Sequence, residues 1–295
     1  MAMGSGTQPP VVLTIAGFDP TAGAGLSADL KTFAAHGCYG VAALTSLALQ
    51  DTGEVHAVEP VKPEVLRQQL EQLLSDFSVA AVKVGMLATR AHVRVVAEVL
   101  EKVLEQKKLS PVVLDPVLRS TSGAELLDAK GTEELRSRLL KLARVVTPNR
   151  WEAGVLTGME VPGRDALRAA AQKLREMGAR AVVITGGEEE KPVDLFYDGE
   201  TFIEFTGEKV RSENTHGTGC AFSSALAANL AHGRALADSV VLAKAYVAEA
   251  IKKGHALGKG KGLLNHFYRS EAGDVVHSRS LHTPEEGPAH PIKHF

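Results

Sequence analysis

The sequence predicts an α/β fold in three layers, in which a mostly parallel central sheet lies between two layers of helices. Short apolar segments alternate with helical patterns from residue 11 to about residue 253, which is typical of parallel strands joined by crossover helices. The strand-like segments are nearly all apolar, as a sheet buried on both faces requires. Asp198-Gly199 is a strong turn signal and predicts a small β-hairpin near residues 194–205.

The elements follow one another in a regular order. Strands are predicted at residues 11–16, 41–47, 80–84, 112–114, 144–147, 181–185, 194–197 and 201–205. Helices are predicted at residues 25–36, 64–77, 89–105 and 132–142, from about residues 151 and 165, and at 217–231 and 235–253. Thr89 fits a helix N-cap, and Gly233 fits a helix end.

These elements predict one domain, residues 11–270, after a flexible N-terminal segment of residues 1–10. Residues 271–295 are polar and show no periodicity, so we expect a disordered tail there.

The composition of the 295-residue chain fits a globular protein and excludes several classes. Hydrophobic residues make up 44% of the chain, and the formal net charge of −2 offers no basic surface for nucleic acid. Cys38 and Cys220 are the two cysteines, and they lack the spacing of a zinc site or a disulfide framework. No apolar stretch approaches the roughly 20 residues of a membrane span. We therefore expect a cytoplasmic protein with neither a nucleic-acid nor a membrane partner.

One glycine-rich segment, residues 214–224, brings a cysteine to the N-terminus of a predicted helix. Gly217 and Gly219 let the backbone approach a ligand, and the first turn of a helix attracts an anion such as phosphate. The same field is expected to lower the pKa of Cys220, whose thiolate could then take a proton from a hydroxyl that attacks the phosphate. Taken alone, the segment fits a capped helix with a small buried cysteine equally well.

Other polar residues follow other strands, where ligands bind in open α/β sheets. Residues 17–25 form a glycine-rich loop that matches neither a Walker loop nor a dinucleotide-binding fingerprint. In the next helix, Asp29 either complements the helix dipole or contacts a substrate. Asp115 and Glu152 could hold Mg²⁺ directly or through water, although each alone is more typical of a turn or a helix start. Met86 fits the core as well as a ligand contact.

Six motifs occur in a fixed order along the chain. They are Thr-Ile-Ala-Gly-x-Asp-Pro (14–20) with Gly-Ala-Gly (23–25), Ala-Asp-Leu-Lys-Thr-Phe (28–33), Gly-Met-Leu (85–87), Leu-Asp-Pro-Val (114–117), Thr-Pro-Asn-x-x-Glu-Ala (147–153) and Thr-His-Gly-Thr-Gly-Cys (215–220). Together they closely resemble the hydroxymethylpyrimidine/phosphomethylpyrimidine kinases of thiamine synthesis, within the ribokinase-like superfamily. The resemblance covers about residues 11–270 and implies a ribokinase-like fold.

The resemblance also implies an activity and a set of site residues. The activity is ATP-dependent phosphorylation of 4-amino-5-hydroxymethyl-2-methylpyrimidine and then of its monophosphate, with Mg²⁺, in a homodimer. Cys220 would take the hydroxymethyl proton, and the N–H groups of Gly217, Thr218 and Gly219 would form an anion hole. The implied pyrimidine pocket comprises Gly17, Ala24, Asp29, Ala48, Gln50, Met86 and Val117. The implied nucleotide site comprises Asn149, Glu152, Thr185, Gly186, Gly187 and Gly219, with Asp115 and Glu152 near the metal.

Two positions depart from the pattern of this family. Thr185 stands where many members have a lysine that is thought to contact nucleotide phosphates, and Phe18 stands where serine or threonine is usual. Thr185 is similar to the residue of pyridoxal kinases at this position, so a pyridoxal or pyridoxine kinase of the same fold is an alternative. A ligand-sensing protein that has kept the pocket without turnover is another.

Overall fold

The computed structural model of the protein describes residues 8–106, 110–120, 122–186, 192–207, 210 and 212–270. The strands in this part of the chain are β1 (Val11–Phe18), β2 (Tyr39–Gln50), β3 (Val55–Pro60), β4 (Val79–Val84), β5 (Val112–Leu114), β6 (Val145–Val146), β7 (Val182–Ile184), β8 (Val193–Tyr197) and β9 (Phe202–Thr206). The helices are α1 (Gly25–Ala35), α2 (Pro63–Asp76), α3 (Arg90–Glu105), α4 (Ala129–Glu134), α5 (Leu140–Leu142), α6 (Arg150–Thr157), α7 (Arg164–Glu176), α8 (Thr218–Ala231) and α9 (Leu236–Lys252).

The strands form one sheet in the order β3-β2-β1-β4-β5-β6-β7-β8-β9. The six adjacent strands β2-β1-β4-β5-β6-β7 are parallel to one another. Strands β3, β8 and β9 are antiparallel to their neighbours. The predicted mostly parallel sheet and the β8–β9 hairpin are therefore confirmed.

Both faces of the sheet are buried, which explains the uniformly apolar strands. Successive residues of β1 show the alternation, because Leu13 and Ile15 pack in one hydrophobic cluster and Val12 in the other. Helices α2, α3, α5, α6 and α7 contribute to the first cluster, and α1, α8 and α9 contribute to the second. The three-layer arrangement follows directly from this pattern.

The chain changes direction across the sheet next to β1. From β1 it passes through α1, on one face, to β2, whereas from β4 it passes through α3, on the other face, to β5 on the opposite side of the sheet. The loops at the carboxyl ends of β1 and β4 therefore diverge and leave a crevice, which is where open α/β sheets bind their ligands. The fold thus directs attention to residues 17–25 and 85–89.

Three features differ from the sequence prediction or lie beyond it. Strand β3 was not predicted, and β2 is longer than expected because it pairs with β3. A π-helical turn, Leu135–Leu139, interrupts the predicted helix 132–142. The predicted tail and residues 1–7 lie outside the described residues, so the predicted domain limits stay a prediction. In the described ranges, we find no helix long and apolar enough to cross a membrane.

Candidate active site at the carboxyl edge of the sheet

The crevice beside β1 is lined by Gly17 and by the loop that follows β4. A Cβ atom on Gly17 would lie 2.8 Å from Ser46 Oγ and 3.3 Å from Met86 Sδ, so only glycine allows these side chains to close around the end of β1. Ser46 is fully buried, and its hydroxyl has no hydrogen-bond partner among the residues that the structure describes. Ala48 and Gln50 follow on the same face of β2 and are half-buried. Residues of β2 and of the loop after β4 therefore close around Gly17 at the end of β1.

Two glycine-rich loops interlock above this crevice. Gly217, at the start of α8, has a φ of +79°, and a Cβ atom there would lie 1.8 Å from the carbonyl oxygen of Gly23. His216 Nε2 lies 2.8 Å from a carboxylate oxygen of Asp19. The same carboxylate accepts hydrogen bonds from the Ala24 N–H at 2.9 Å and from Thr21. The loop after β1 and the loop before α8 therefore behave as one unit.

Hydrogen bonding keeps Asp19 ionised in this unit. Burial acts to raise the pKa of Asp19, but the hydrogen bonds from His216 and Thr21 outweigh burial and leave the pKa below its ordinary value. A negative charge on Asp19 strengthens each hydrogen bond that the carboxylate accepts. The interlocked loops are thus held mainly by a buried carboxylate.

A segment near the end of the described chain supports the second loop from behind. The His216 N–H donates to the Gly262 carbonyl at 3.3 Å, and the Gly262 N–H donates to the Glu213 carbonyl at 3.2 Å. A Cβ atom on Gly23 would lie 2.7 Å from Leu263 Cδ2, so this segment also touches the loop after β1. Three parts of the chain, far apart in sequence, therefore meet behind the start of α8.

The first turn of α8 presents free backbone donors. Thr218 donates its hydroxyl to the Thr215 carbonyl at 2.8 Å, and its N–H lies 3.4 Å from the same oxygen. The N–H groups of Gly219 and Cys220 have no acceptor among the described residues. Together with the helix dipole, these two groups can bind an anion. The predicted anion hole stays a prediction, in which the Gly219 N–H is free within the described part of the chain, whereas Gly217 is buried and serves the turn itself.

Cys220 lies at this turn with part of its surface exposed. Burial of the thiol raises the pKa of Cys220 to about 12, and the positive charge of Lys83 only partly opposes this rise. The expectation that the helix dipole makes Cys220 a thiolate near neutrality is therefore wrong for the protein without ligands. The physical reason is that desolvation exceeds the field of a helix N-terminus at this position.

Asp29 lies beneath the crevice rather than on its surface. The carboxylate has no exposed area and accepts hydrogen bonds from Thr14 at 2.6 Å, from Ser224 at 2.7 Å and from Lys83 at 2.9 and 3.0 Å. A direct contact with a pyrimidine amino group stays a prediction that this burial does not favour. Sequence reasoning missed Lys83 as the charged partner of Asp29.

The two candidate metal ligands are engaged by protein donors. Asp115 is buried and accepts a hydrogen bond from Ser223 at 2.8 Å, and burial raises the pKa of this carboxylate against the opposing effect of Lys83. Glu152 and Asn149 form a capping box at the start of α6, and Glu152 also accepts from the Leu118 N–H at 3.4 Å. The described residues contain no group of three acidic, histidine or cysteine side chains that could hold a metal ion.

The predicted nucleotide residues lie beyond β6 and β7. The Thr185 N–H donates to the Pro148 carbonyl at 2.9 Å, which brings Thr185 beside Asn149. The Gly186 N–H donates to Asp194 at 2.9 Å, and Asp194 in turn pairs with Lys244 at 2.5 Å. Gly187 lies outside the described residues. The structure thus brings the predicted residues to one edge of the sheet, in two groups on either side of Asp115.

Val117 is the remaining residue of the predicted pyrimidine pocket. It follows Asp115 by two residues and is half-buried at the same edge of the sheet.

Sequence reasoning missed two further groups, namely the pair Asp19–His216 and the adjacent Ser223 and Ser224. The Asp-Pro and Thr-His motifs were recognised as family signatures, but nothing in either motif alone indicates that the two side chains meet. Contacts between distant segments of sequence carry no local signal.

Comparison with known proteins gives consistent matches over most of the chain. The family described as Phosphomethylpyrimidine kinase matches residues 19–265. A hydroxymethylpyrimidine/phosphomethylpyrimidine kinase of Aquifex aeolicus is 41% identical over 257 residues, which cover 86% of this chain and 99% of that protein. A pyridoxine kinase of Bacillus subtilis is 40% identical over 260 residues, which cover 86% of this chain and 94% of that protein.

Among solved structures, the pyridoxal kinase of Staphylococcus aureus in complex with AMP-PCP and pyridoxal superimposes with a TM-score of 0.79 at 37% identity, covering 88% of this chain and 94% of that chain. The predicted ribokinase-like α/β fold is thereby confirmed. The matches include both pyrimidine and pyridoxal kinases, so the fold alone does not separate the two substrates.

Proposed function

The chain belongs to the phosphomethylpyrimidine kinase family, and we propose that it transfers phosphoryl groups from ATP to 4-amino-5-hydroxymethyl-2-methylpyrimidine and then to the resulting monophosphate, in thiamine biosynthesis. The observation that carries this proposal is the interlocking of the two glycine-rich loops, which holds the start of α8, and with it Cys220, against the loop that follows β1. A small alcohol in the crevice and a phosphoryl group at the helix start would then lie side by side.

The pyrimidine ring would occupy the crevice. Met86 and Val117 offer apolar contacts for its faces, and Gln50 offers a carboxamide that can both donate and accept. Gly17 and Ala24 leave room for the ring at the ends of the two loops. The proposed pocket comprises Gly17, Ala24, Ala48, Gln50, Met86 and Val117, with Asp29 supporting it from below.

The phosphoryl group would be held by backbone donors. The N–H groups of Gly219 and Cys220 would bind the charge that develops on the transferred group, and the thiolate of Cys220 would accept the hydroxymethyl proton as the oxygen bonds to the γ-phosphorus. ADP leaves with the electrons of the broken bond. Because burial raises the pKa of this thiol, the thiol must first release its own proton to water before the thiolate can accept the hydroxymethyl proton.

ATP would lie along the edge of the sheet toward α6 and β7. Asn149, Thr185, Gly186 and Gly187 would contact the nucleotide, and a relative of known structure binds the ATP analogue AMP-PCP. Mg²⁺ usually keeps several waters and binds to nucleotide phosphates, with one or two carboxylates nearby. Asp115 and Glu152 fit such an ion through water rather than directly, since protein donors engage both oxygens of Glu152 and the Oδ2 atom of Asp115. When bound, the ion would neutralise phosphate charge.

Two broader properties accompany the proposal. We propose that the enzyme acts in the cytoplasm and forms a homodimer, as the resemblance to its family implies. Sedimentation at micromolar concentrations tests the second statement, because a monomer of 31.2 kDa is readily distinguished from a dimer of twice that mass.

The alternative substrate class is pyridoxal or pyridoxine. Thr185 favours this alternative, and named pyridoxine and pyridoxal kinases are similar to this chain at 40% and 37% identity. Measuring ADP release with the hydroxymethylpyrimidine and with pyridoxal, at equal concentrations, decides between them. We expect kcat/KM to favour the pyrimidine by at least tenfold. A clear preference for pyridoxal would assign the protein to the alternative class, and no turnover with either substrate would favour a sensing role.

A further inference from the structure

A buried charge cluster lies beneath Cys220, in a position that the proposed reaction does not use directly. Lys83 has no exposed surface, and it is the one lysine or arginine with a buried side chain in the described part of the chain. Its Nζ lies 2.9 and 3.0 Å from the two carboxylate oxygens of Asp29. Burying an ammonium group is costly even when it is paired. A lysine at this position therefore calls for an explanation beyond stability.

The surroundings of the ammonium group place it under the crevice. Lys83 pairs in register with Thr14 of β1, so both side chains project toward the layer of α1 and α8. A Cβ atom on Gly85 would lie 2.7 Å from Lys83 Nζ, which means that the ammonium group lies directly against the backbone that precedes Met86. The charge is thus at the floor of the proposed pyrimidine pocket.

The cluster is also bonded to the helix that carries Cys220. Ser223 and Ser224 follow Cys220 by about one helical turn, so they lie on the same side of α8. Ser223 donates to Asp115 at 2.8 Å, and Ser224 donates to Asp29 at 2.7 Å. Two hydroxyl groups therefore anchor the start of α8 on two buried carboxylates.

Lys83 supplies the positive charge of this cluster. Burial acts to lower the pKa of Lys83, but the neighbouring acidic groups, Asp29 first among them, outweigh burial and leave that pKa raised. Lys83 is therefore a cation under all ordinary conditions. Its positive charge also acts on Asp115 and Cys220, because it opposes the rise in pKa that burial causes at both groups.

We propose that Lys83 is a positioning residue for the kinase reaction, and that its ammonium group, fixed by Asp29, supplies the positive charge that stabilises the Cys220 thiolate. Asp29 has the opposite electrostatic effect, while it holds both Lys83 and the start of α8 in place. This inference rests on the proposed role of Cys220 in proton transfer. It assigns the ion pair a function in the reactivity of the thiol as well as in the packing of α8.

Replacing Lys83 and replacing Asp29 should change the reactivity of Cys220 in opposite directions. In Lys83→Met the thiolate loses its cation, so the rate of Cys220 alkylation by iodoacetamide at pH 9 should fall at least tenfold, since one unit of pKa is tenfold in thiolate. In Asp29→Asn, which preserves size, the cation is no longer neutralised, and the same rate should rise at least threefold. Mass spectrometry of the two cysteine-containing peptides measures both rates in one sample.

Cys38 serves as the internal reference. Burial raises its pKa to about 11, and the charged group acting on it is Arg234 rather than Lys83. Its alkylation rate should stay within twofold in both variants. If both cysteines react faster in both variants, the effect is a loosening of the fold, and the inference is overturned. An unchanged or slower Cys220 reaction in Asp29→Asn overturns it equally, even if Lys83→Met does not fold.

Turnover is measured in the same preparations to separate this inference from the proposed function. Loss of turnover in Lys83→Met without a change in Cys220 alkylation contradicts the inference and leaves the kinase assignment standing. If the wild-type protein turns over neither substrate, the proposed function fails, whereas the alkylation rates still decide the effect of Lys83 on the thiol.

Discussion

The interlocked glycine loops allow a sharp test at Gly217. In Gly217→Ala the new Cβ atom would lie 1.8 Å from the Gly23 carbonyl oxygen, whereas carbon and oxygen atoms in contact are about 3.3 Å apart. The two loops must therefore separate by about 1.5 Å. A misplacement of about 1 Å in an active site can lower the rate about 10²-fold. We expect kcat/KM to fall about 10²-fold or more.

The expected loss of stability has two parts. A non-glycine residue at a φ of +79° costs about 1–2 kcal/mol, and overpacking adds about 1–3 kcal/mol. Gly233→Ala is the matched control, because Gly233 follows the other end of α8 at a φ of +76° and a Cβ atom there meets no atom of the described part of the chain within 4 Å. This control should lose only the stability that a non-glycine residue costs at a positive φ, about 1–2 kcal/mol, and it should keep full turnover.

The assays are ADP release under saturating ATP and urea unfolding followed by far-ultraviolet circular dichroism, both at 25 °C. A Gly217→Ala variant that keeps turnover within twofold of the wild type would refute the view that close contact of the two loops fixes the site. An equal loss of turnover in Gly233→Ala would show that strain in α8, rather than the contact between loops, is responsible.

Three further predictions concern single residues. Cys220→Ala should lower kcat by about 10²-fold or more with nucleotide affinity nearly unchanged, measured by turnover and calorimetry, and an unchanged kcat would make the thiol a structural group. Asp19→Asn keeps the size of the side chain but weakens the hydrogen bond to His216. We therefore expect kcat to fall about tenfold and the free energy of unfolding to drop by about 1–3 kcal/mol. Turnover equal to that of the wild type would exclude a positioning role for Asp19. Burial lowers the pKa of His36 and His266 to about 4, below the ordinary value of 6.5. The unfolded state therefore binds more protons below pH 6.5, and stability should fall as the pH drops from 6.5 to 4, by up to about 3 kcal/mol for the buried His266. Urea midpoints between pH 7.5 and 4 measure this loss, which His266→Asn should reduce, and a flat profile would contradict it.

The sequence carries strong signals for the parallel part of the sheet. Strands such as β1 and β4 are buried on both faces, so their apolar character is visible without knowledge of the fold. The strand β3 carries no such signal, because it lies at the edge of the sheet and mixes half-buried with exposed residues, including His56 and Glu59. Edge position, rather than length, explains why it escaped prediction.

The candidate site was predictable in its loops and not in its charges. The motif around Cys220 is local, and its helix start lies where the sequence places it. The state of the thiol depends on burial and on Lys83, which lies 137 positions earlier in the chain. A lone lysine between Val82 and Val84 gives no indication of its partner, since Asp29 belongs to another motif. Desolvation is a property of the assembled layers, and a helix dipole estimated from sequence omits it.

The support of the second loop by Gly262 and Leu263 has a consequence for how the protein is made. Synthesis proceeds from the N-terminus, so the nine strands and α8 leave the ribosome before the segment that binds the backbone of Glu213 and His216. The site is completed only after about nine-tenths of the chain has emerged. A chain that stops shortly after α9 would retain the complete sheet without the support of its loop. During translation, the enzyme would thus gain its shape before it gains its activity.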